Sequence, residues 1–199
     1  MTALSVNRII ERQSATGGDR IAIEEGDLTL TYRELNQRAN AVARELISRG
    51  LRRGSDVVTR MQRGPELAMV LLAILKAGAA YTWMDVQDAD RRWPYGVSFA
   101  KDGVPRAMPI DIGTLMVPSR HVPNLPIVTR GDDIACILRQ PNGLPGVLVP
   151  HATIASLQAH PIPERAPWSD DAAALDLWRP LMAGATVTLA AAPTRIAAA

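Results

Sequence analysis

The segment from Asp133 to His151 has the outline of a phosphate-binding loop and little of its chemistry. It reads Asp-Ile-Ala-Cys-Ile-Leu-Arg-Gln-Pro-Asn-Gly-Leu-Pro-Gly-Val-Leu-Val-Pro-His. The apolar run Ile134 to Leu138 predicts a buried strand, Val147 to Val149 predicts a second, and a helix is expected after His151. A loop that cradles phosphate meets the negative charge with glycine amides, hydroxyls and a lysine. The loop here holds Gln140, Pro141, Asn142, Gly143, Leu144, Pro145 and Gly146. It contains no Ser, Thr or Lys, and each proline removes an amide donor. Arg139 is the nearest cation, and nothing local places it.

Other residues that could do chemistry read more simply as structure. Cys136 is the sole cysteine, so no internal disulfide forms, and its apolar neighbours predict a buried thiol rather than a nucleophile. His121, His151 and His160 lack metal-ligand spacing. His151, between a strand and a helix, is a ligand candidate that more simply satisfies a helix start. Asp170 and Asp171 are adjacent, so on a helix they point apart and favour the positive helix end instead of forming an acid–base pair. Trp83, Trp93, Trp168 and Trp178 are candidate pocket walls, with core packing the plainer reading. Glu24-Glu25 and Arg52-Arg53 read as solvated turn charges. Walker, dinucleotide and nucleophile-elbow motifs are absent from the sequence.

The elements that would position these residues follow from periodicity. Ser5 to Gln13 predicts a short helix with Val6, Ile9 and Ile10 on one face. Ile21–Glu24 and Leu28–Leu30 alternate as strands around the turn Glu25-Gly26-Asp27. Thr31-Tyr32-Arg33-Glu34 fits a capping box, and Leu35, Ala39, Val42 and Leu46 carry a helix from Tyr32 to Arg49, stopped by Gly50. Asp56 to Met61 predicts a strand. Pro65 then opens a helix to Lys76 that is apolar on nearly every face, Gly78 ends it, and Ala80 to Met84 predicts a strand. Strand, helix and strand with short joints make a parallel crossover unit. Residues 86–130 show no strong period, apart from a strand expected at Ile127–Thr129. Thr153 to His160 predicts a helix, Pro161 to Pro167 a linker, and Asp170 to Ala183 a helix capped by Ser169 and stopped by Gly184. In that helix Leu175, Trp178 and Leu181 or Met182 face inward. Thr186–Leu189 closes the list of strands.

With 199 residues, 47% of them hydrophobic, the chain can build one core, and it is read as a single domain over 1–199. A net charge of +2 is too small an excess to argue for nucleic acid. No signal-like start is visible, and the longest apolar stretch, Leu67–Leu75, is too short to span a bilayer. A cytoplasmic protein without membrane partners is therefore expected.

Two long strings resemble one family. Leu30-Thr31-Tyr32-Arg33-Glu34-Leu35, with Asn36 and Ala39-Asn40, resembles the first core motif of adenylation domains in nonribosomal peptide synthetases. Leu75-Lys76-Ala77-Gly78-Ala79-Ala80-Tyr81 through Asp85 resembles the second. The similarity runs from about Ser5 to Asp85, is loose over 86–130, and resumes at Asp132-Asp133 and at Leu177 to Ala185 in a shortened stretch 131–199.

The resemblance implies an α/β fold, part of the N-terminal subdomain of the adenylate-forming fold, with a parallel or mixed sheet flanked by helices. It also implies activation of an amino acid with ATP and magnesium, then loading on a carrier-protein thiol. Set against the family's Thr-Ser-Gly-Ser-Thr-Gly-x-Pro-Lys-Gly loop, Gln140–Gly146 is short and stripped of its charged and hydroxyl groups. Asp171 falls where the family binds the substrate's α-amino group, as a vestigial substrate-binding residue. The later family motifs, for adenine, ribose and the catalytic lysine, are not in the sequence.

The expectation is thus a catalytically inactive adenylation remnant with no catalytic residue, bound nucleotide or metal. It would act as a structural or docking element beside condensation or carrier-protein domains. The alternatives are a fragment that completes adenylation in trans, and an amino-acid-binding module without ATP.

Overall fold

The computed structural model describes residues 5–84, 96–101, 104–108, 121–126, 128–139, 146–157, 163–168 and 175–189. Its described elements are α1 (Val6–Gly17), β1 (Ile21–Glu25), β2 (Leu28–Thr31), α2 (Tyr32–Ser48), β3 (Asp56–Arg60), α3 (Pro65–Lys76) and β4 (Ala80–Met84). They continue with β5 (Gly96–Lys101), β6 (Val104–Met108), β7 (Ile134–Leu138), β8 (Val147–Pro150), α4 (His151–Ser156), β9 (Arg165–Pro167), α5 (Leu175–Ala183) and β10 (Thr186–Leu189). Two mixed sheets result, in the orders β2-β1-β10-β9 and β6-β5-β3-β4-β7-β8.

The expected crossover is present. β3 and β4 pair in parallel, with Asp56 opposite Ala80 and Arg60 opposite Met84. Between them α3 touches both β4 and β1, and so lies between the two sheets. That position explains its sequence: Pro65 and every residue from Leu67 to Lys76 are buried. Gly78 takes a positive φ of 75° to turn the chain back into β4.

The capping box of α2 forms as expected. The Thr31 hydroxyl accepts the Glu34 amide at 3.2 Å, and the Glu34 carboxylate accepts the Thr31 amide at 2.9 Å. That acceptance holds the Glu34 carboxyl below its ordinary range, against the opposing effect of burial.

The same motif does a second job that periodicity did not reveal. The Tyr32 hydroxyl reaches the carbonyls of Leu181 at 3.0 Å and Ala185 at 2.7 Å. The Gln13 amide donates to the Met182 carbonyl at 2.7 Å, and Arg20 donates to the Gly184 carbonyl at 3.0 Å. These carbonyls lie at and just beyond the end of α5, where intrahelical partners run out. Burial, set against a nearby Arg20 cation, drives the Tyr32 hydroxyl pKa upward, so it stays a neutral phenol. Tyr32→Phe is expected to cost about 1–3 kcal/mol, the penalty for stranding buried acceptors. Urea unfolding with an unchanged slope would read it; a loss under about 0.5 kcal/mol would show the cap is idle.

Several expectations need correction or completion. The helix foreseen at Ser5–Gln13 runs to Gly17. Val128 and Thr129 join no strand, because the turn beyond them closes through Asp133 onto Arg130; Ile127 lies outside the described residues. Arg165–Pro167 is not linker but strand β9, parallel to β10 at the sheet margin, where a proline's missing amide is tolerated. Within 86–130, β5 and β6 form an antiparallel hairpin that pairs with β3. Its sequence signal was Asp102-Gly103 between two alternating runs. The helix foreseen at Thr153 begins two residues earlier, at His151. Its predicted end, Gln158 to His160, lies outside the described residues, as do Asp85, Trp93 and Ser169 to Ala174.

Polar groups buried among α1, α2 and α3 form a network of their own. Lys76 is 1% exposed and reaches the Glu11 carboxylate at 2.6 Å. The Asn124 side-chain oxygen accepts from Asn36 at 3.0 Å, Asn40 at 3.0 Å and Lys76 at 3.3 Å. Asn40 also holds the Val122 carbonyl, and Arg44 that of Pro123. Residues 121–126 are thereby fastened to α2 without regular secondary structure. Among the described residues no helix is long and apolar enough to cross a membrane.

Candidate functional site

Parallel strands β3, β4 and β7 share one direction, and in open α/β sheets ligands gather at the carboxyl ends of such strands. The sequence-predicted loop sits at that end. Leu138 pairs with Val147 across the antiparallel β7–β8 hairpin, so residues 139–146 close it. Gly146 approaches Ile137 closely: a Cβ there would fall 2.6 Å from the Ile137 methyl. The loop residues Gln140, Pro141, Asn142, Gly143, Leu144 and Pro145 lie outside the described residues, as does Asp171.

The hairpin separates the loop from the helix that should assist it. α4 starts at the far end of β8, about 10 Å from the loop at strand rise. Its first amides are already engaged: His151 donates to the Asp133 carbonyl at 3.0 Å, and Ala152 to that of Gly131 at 2.7 Å. No helix N-terminus among the described residues follows the loop directly, so the usual dipole contribution to phosphate binding has no source here.

The carboxyl edge of β3 and β4 carries aromatic and basic residues. The Arg63 guanidinium lies over Trp83 at 5.3 Å and over Trp168 at 5.7 Å from the ring centroids. The two indoles are 6.1 Å apart, and the Trp83 nitrogen donates to the Met61 carbonyl at 3.0 Å. This stack joins β4 of one sheet to the residue after β9 of the other. Trp178 is core, fully buried. The packing reading therefore holds for Trp178 and for the nearly buried Trp168.

The other predicted residues are structural as placed. Cys136 is buried, and burial pushes its thiol up to about 11, the opposite of an activated thiolate. His151 does satisfy a helix start, but that of α1: its Nδ1 accepts the Val6 amide at 3.2 Å. Burial lowers its pKa to about 4 despite the nearby Asp133 carboxylate. Arg53 is more than a solvated turn charge. It meets both Asp133 oxygens, at 3.1 and 2.9 Å. Burial alone would raise the Asp133 carboxyl, yet the Arg130 amide and Arg53 hold it below its ordinary range. Glu24 likewise pairs with Arg165 at 3.0 Å.

Arg53, Asp56, Ala80, Asp133 and Leu148 line a cavity of about 240 Å³. It opens at the amino ends of β3, β4 and β7. Among the described residues no group of three or more His, Cys, Asp or Glu could hold a metal.

The His151 geometry makes a stability prediction. A depressed folded pKa means the unfolded chain takes up the proton first, so stability is full above pH 6.5 and falls as pH drops through about 4. The loss is about 3 kcal/mol at the bottom of that window. His151→Asn keeps an acceptor for Val6 and removes the titration. Its stability should change less between pH 6.5 and 4; an unchanged slope would assign the acid loss elsewhere.

Residues 10–101 match the family model described as AMP-binding enzyme. Malpibaldin synthetase of Mortierella alpina is 45% identical over 93 residues, 47% of this chain and 2% of that protein. These matches support a partial adenylation domain of a nonribosomal peptide synthetase. Tyrocidine synthase 3 of Brevibacillus parabrevis is 28% identical over 214 residues, covering 94% of this adenylation-domain chain and 3% of the relative. That aligned span is longer than the 199-residue chain, so the chain is shorter than the relative somewhere within it. The adenylation fold itself is matched by the N-terminal subdomain of NpsA from Klebsiella oxytoca, in complex with 3-hydroxyanthranilyl-AMSN. The TM-score is 0.74 at 23% identity, over 97% of this chain and 54% of that one. The chain thus spans only two or three per cent of these curated relatives and about half of the solved subdomain.

Proposed function

We propose that the chain is a non-catalytic adenylation-like domain that serves a peptide synthetase as a structural or docking element. One observation carries this reading: the segment closing the β7–β8 hairpin contains no serine, threonine or lysine. Adenylation builds negative charge on the phosphates, and fixed donors must meet it. Loss of a single such donor typically costs about 100–1000-fold in rate. Here the loop's hydroxyls and its ammonium are gone together, and two prolines remove amides as well. Neighbouring condensation or carrier-protein domains are the partners this role implies, and neither ATP nor magnesium is needed for it.

Titration of the polypeptide that carries this chain with magnesium–ATP tests the reading by calorimetry. The expected result is no saturable heat; saturable binding lost on deletion of Gln140–Gly146 would overturn it.

A second reading, an amino-acid-binding module without ATP, draws support from NpsA, whose N-terminal subdomain is seen in complex with 3-hydroxyanthranilyl-AMSN. Asp171 is its candidate ligand for the α-amino group, in the same role as for a fragment completing the site in trans. Calorimetry with free amino acids separates it from the first: binding abolished by Asp171→Ala supports it, and no binding removes it.

A further inference from the structure

In the six-stranded sheet β8 has no neighbour on its outer side among the described residues. Val147 is 46% exposed and Leu148 59%. They are consecutive in a strand, so their side chains leave opposite faces of the sheet. Native sheet edges are usually blunted by charge or by a covering element, because a bare apolar edge is a template for pairing. Val147–Val149 holds no charged residue. A helix laid on one face covers one of the two exposed side chains; a strand added along the edge flanks both.

The cavity at the amino ends of β3, β4 and β7 adjoins this edge, because Leu148 is one of its walls. Tyr81 pairs with Cys136 and Cys136 with Val149, so Ala80 and Leu148, each one position away, share the opposite face. Asp56 pairs with Ala80 and joins that face. The charged walls are Arg53, Asp56 and Asp133, two carboxylates against one guanidinium, a net charge of −1. Arg53 is committed to Asp133, at 3.1 and 2.9 Å. Asp56 is exposed and has no cationic partner among the described residues. At about 240 Å³ the cavity offers room and charge for one basic side chain, with Ala80, Ile134 and Leu148 against its aliphatic stem.

Strand addition takes affinity from main-chain hydrogen bonds and specificity from pockets for alternate side chains. We propose that β8 accepts an extended segment of a neighbouring synthetase domain, whose lysine or arginine enters this cavity and meets Asp56. Such a partner deepens the docking role proposed above and depends on it. A second copy paired through its own β8 would bring no basic side chain, since Val147–Pro150 contains none.

Photocrosslinking in the polypeptide that carries this chain tests the proposal. The probe p-benzoylphenylalanine replaces Leu148 or Val147 and, for comparison on other exposed surface, Leu28 or Val128. The Leu148 and Val147 positions should capture the same segment, identified by mass spectrometry and containing a lysine or arginine. Asp56→Asn should lower that yield about two- to fivefold, the range for a partly exposed ion pair. No capture at Leu148, capture of a second copy, a segment without a basic residue, or a yield indifferent to Asp56→Asn overturns the proposal. If the Leu28 or Val128 position captures a neighbour and Leu148 does not, the docking role stands on another face; if none of these positions does, both fail.

Discussion

Glu11→Leu should destabilise the chain by about 3–5 kcal/mol, because it leaves the Lys76 ammonium buried without its carboxylate. Lys76 is 1% exposed, and its remaining acceptor is Asn124 at 3.3 Å. Burial already holds the ammonium below its ordinary range, and Glu11 opposes that shift. With Glu11 gone the cheaper escape is to shed the proton, which at pH 7 costs a lysine at most about 5 kcal/mol. The penalty should therefore shrink as pH rises toward the free-lysine value near 10.5, since the unfolded chain then loses its advantage in binding the proton.

The converse change is milder. In Lys76→Met the Glu11 carboxylate keeps Arg8 at 3.3 Å, with a side chain 43% exposed. The double variant Glu11→Leu, Lys76→Met removes both charges and should recover most of the single loss, as buried ion pairs replaced by apolar groups generally do. Denaturant unfolding of all three variants closes the cycle. Additive losses would show that the two residues do not act as a pair.

Trp178→Ala should cost a similar amount, about 3–5 kcal/mol, for a different reason. The Trp178 ring is fully buried, lies 6.2 Å from that of Tyr81, and donates its indole hydrogen to the Tyr81 hydroxyl at 2.6 Å. Truncation opens a cavity between α5 and β4 and strands a polar atom in it. Trp178→Phe keeps much of the volume and loses the hydrogen bond, so about 1–3 kcal/mol is expected. If Ala and Phe cost the same, packing is not what Trp178 contributes.

Much of this arrangement could be read from the chain. The capping box, the hairpin around Gly26 and the β3–α3–β4 crossover depend on local spacing, and each formed where the spacing put it. The partners of β10 were not legible: it lies between β1 and β9, from distant parts of the sequence, and no short window encodes that choice. The Tyr32 cap on α5 was missed for the same reason, since 149 positions separate Tyr32 from Leu181. Lys76 did carry a local signal. A lysine within an otherwise buried helix needs a buried acid, but which acid, Glu11 of α1, was visible only in the fold. The candidate site was legible as composition and order: the loop's missing hydroxyls and lysine, and the helix after the second strand, are visible in the sequence, whereas the stack of Arg63 on Trp83 and Trp168 needed the fold.

Under the proposed function this adenylation-like chain does not activate amino acids. Amino-acid-dependent ATP–pyrophosphate exchange, measured on the polypeptide that carries it and across the full set of amino acids, tests that claim most directly. No exchange above the amino-acid-free background is predicted for any substrate. Exchange with even one amino acid, abolished by deleting Gln140–Gly146, would contradict it.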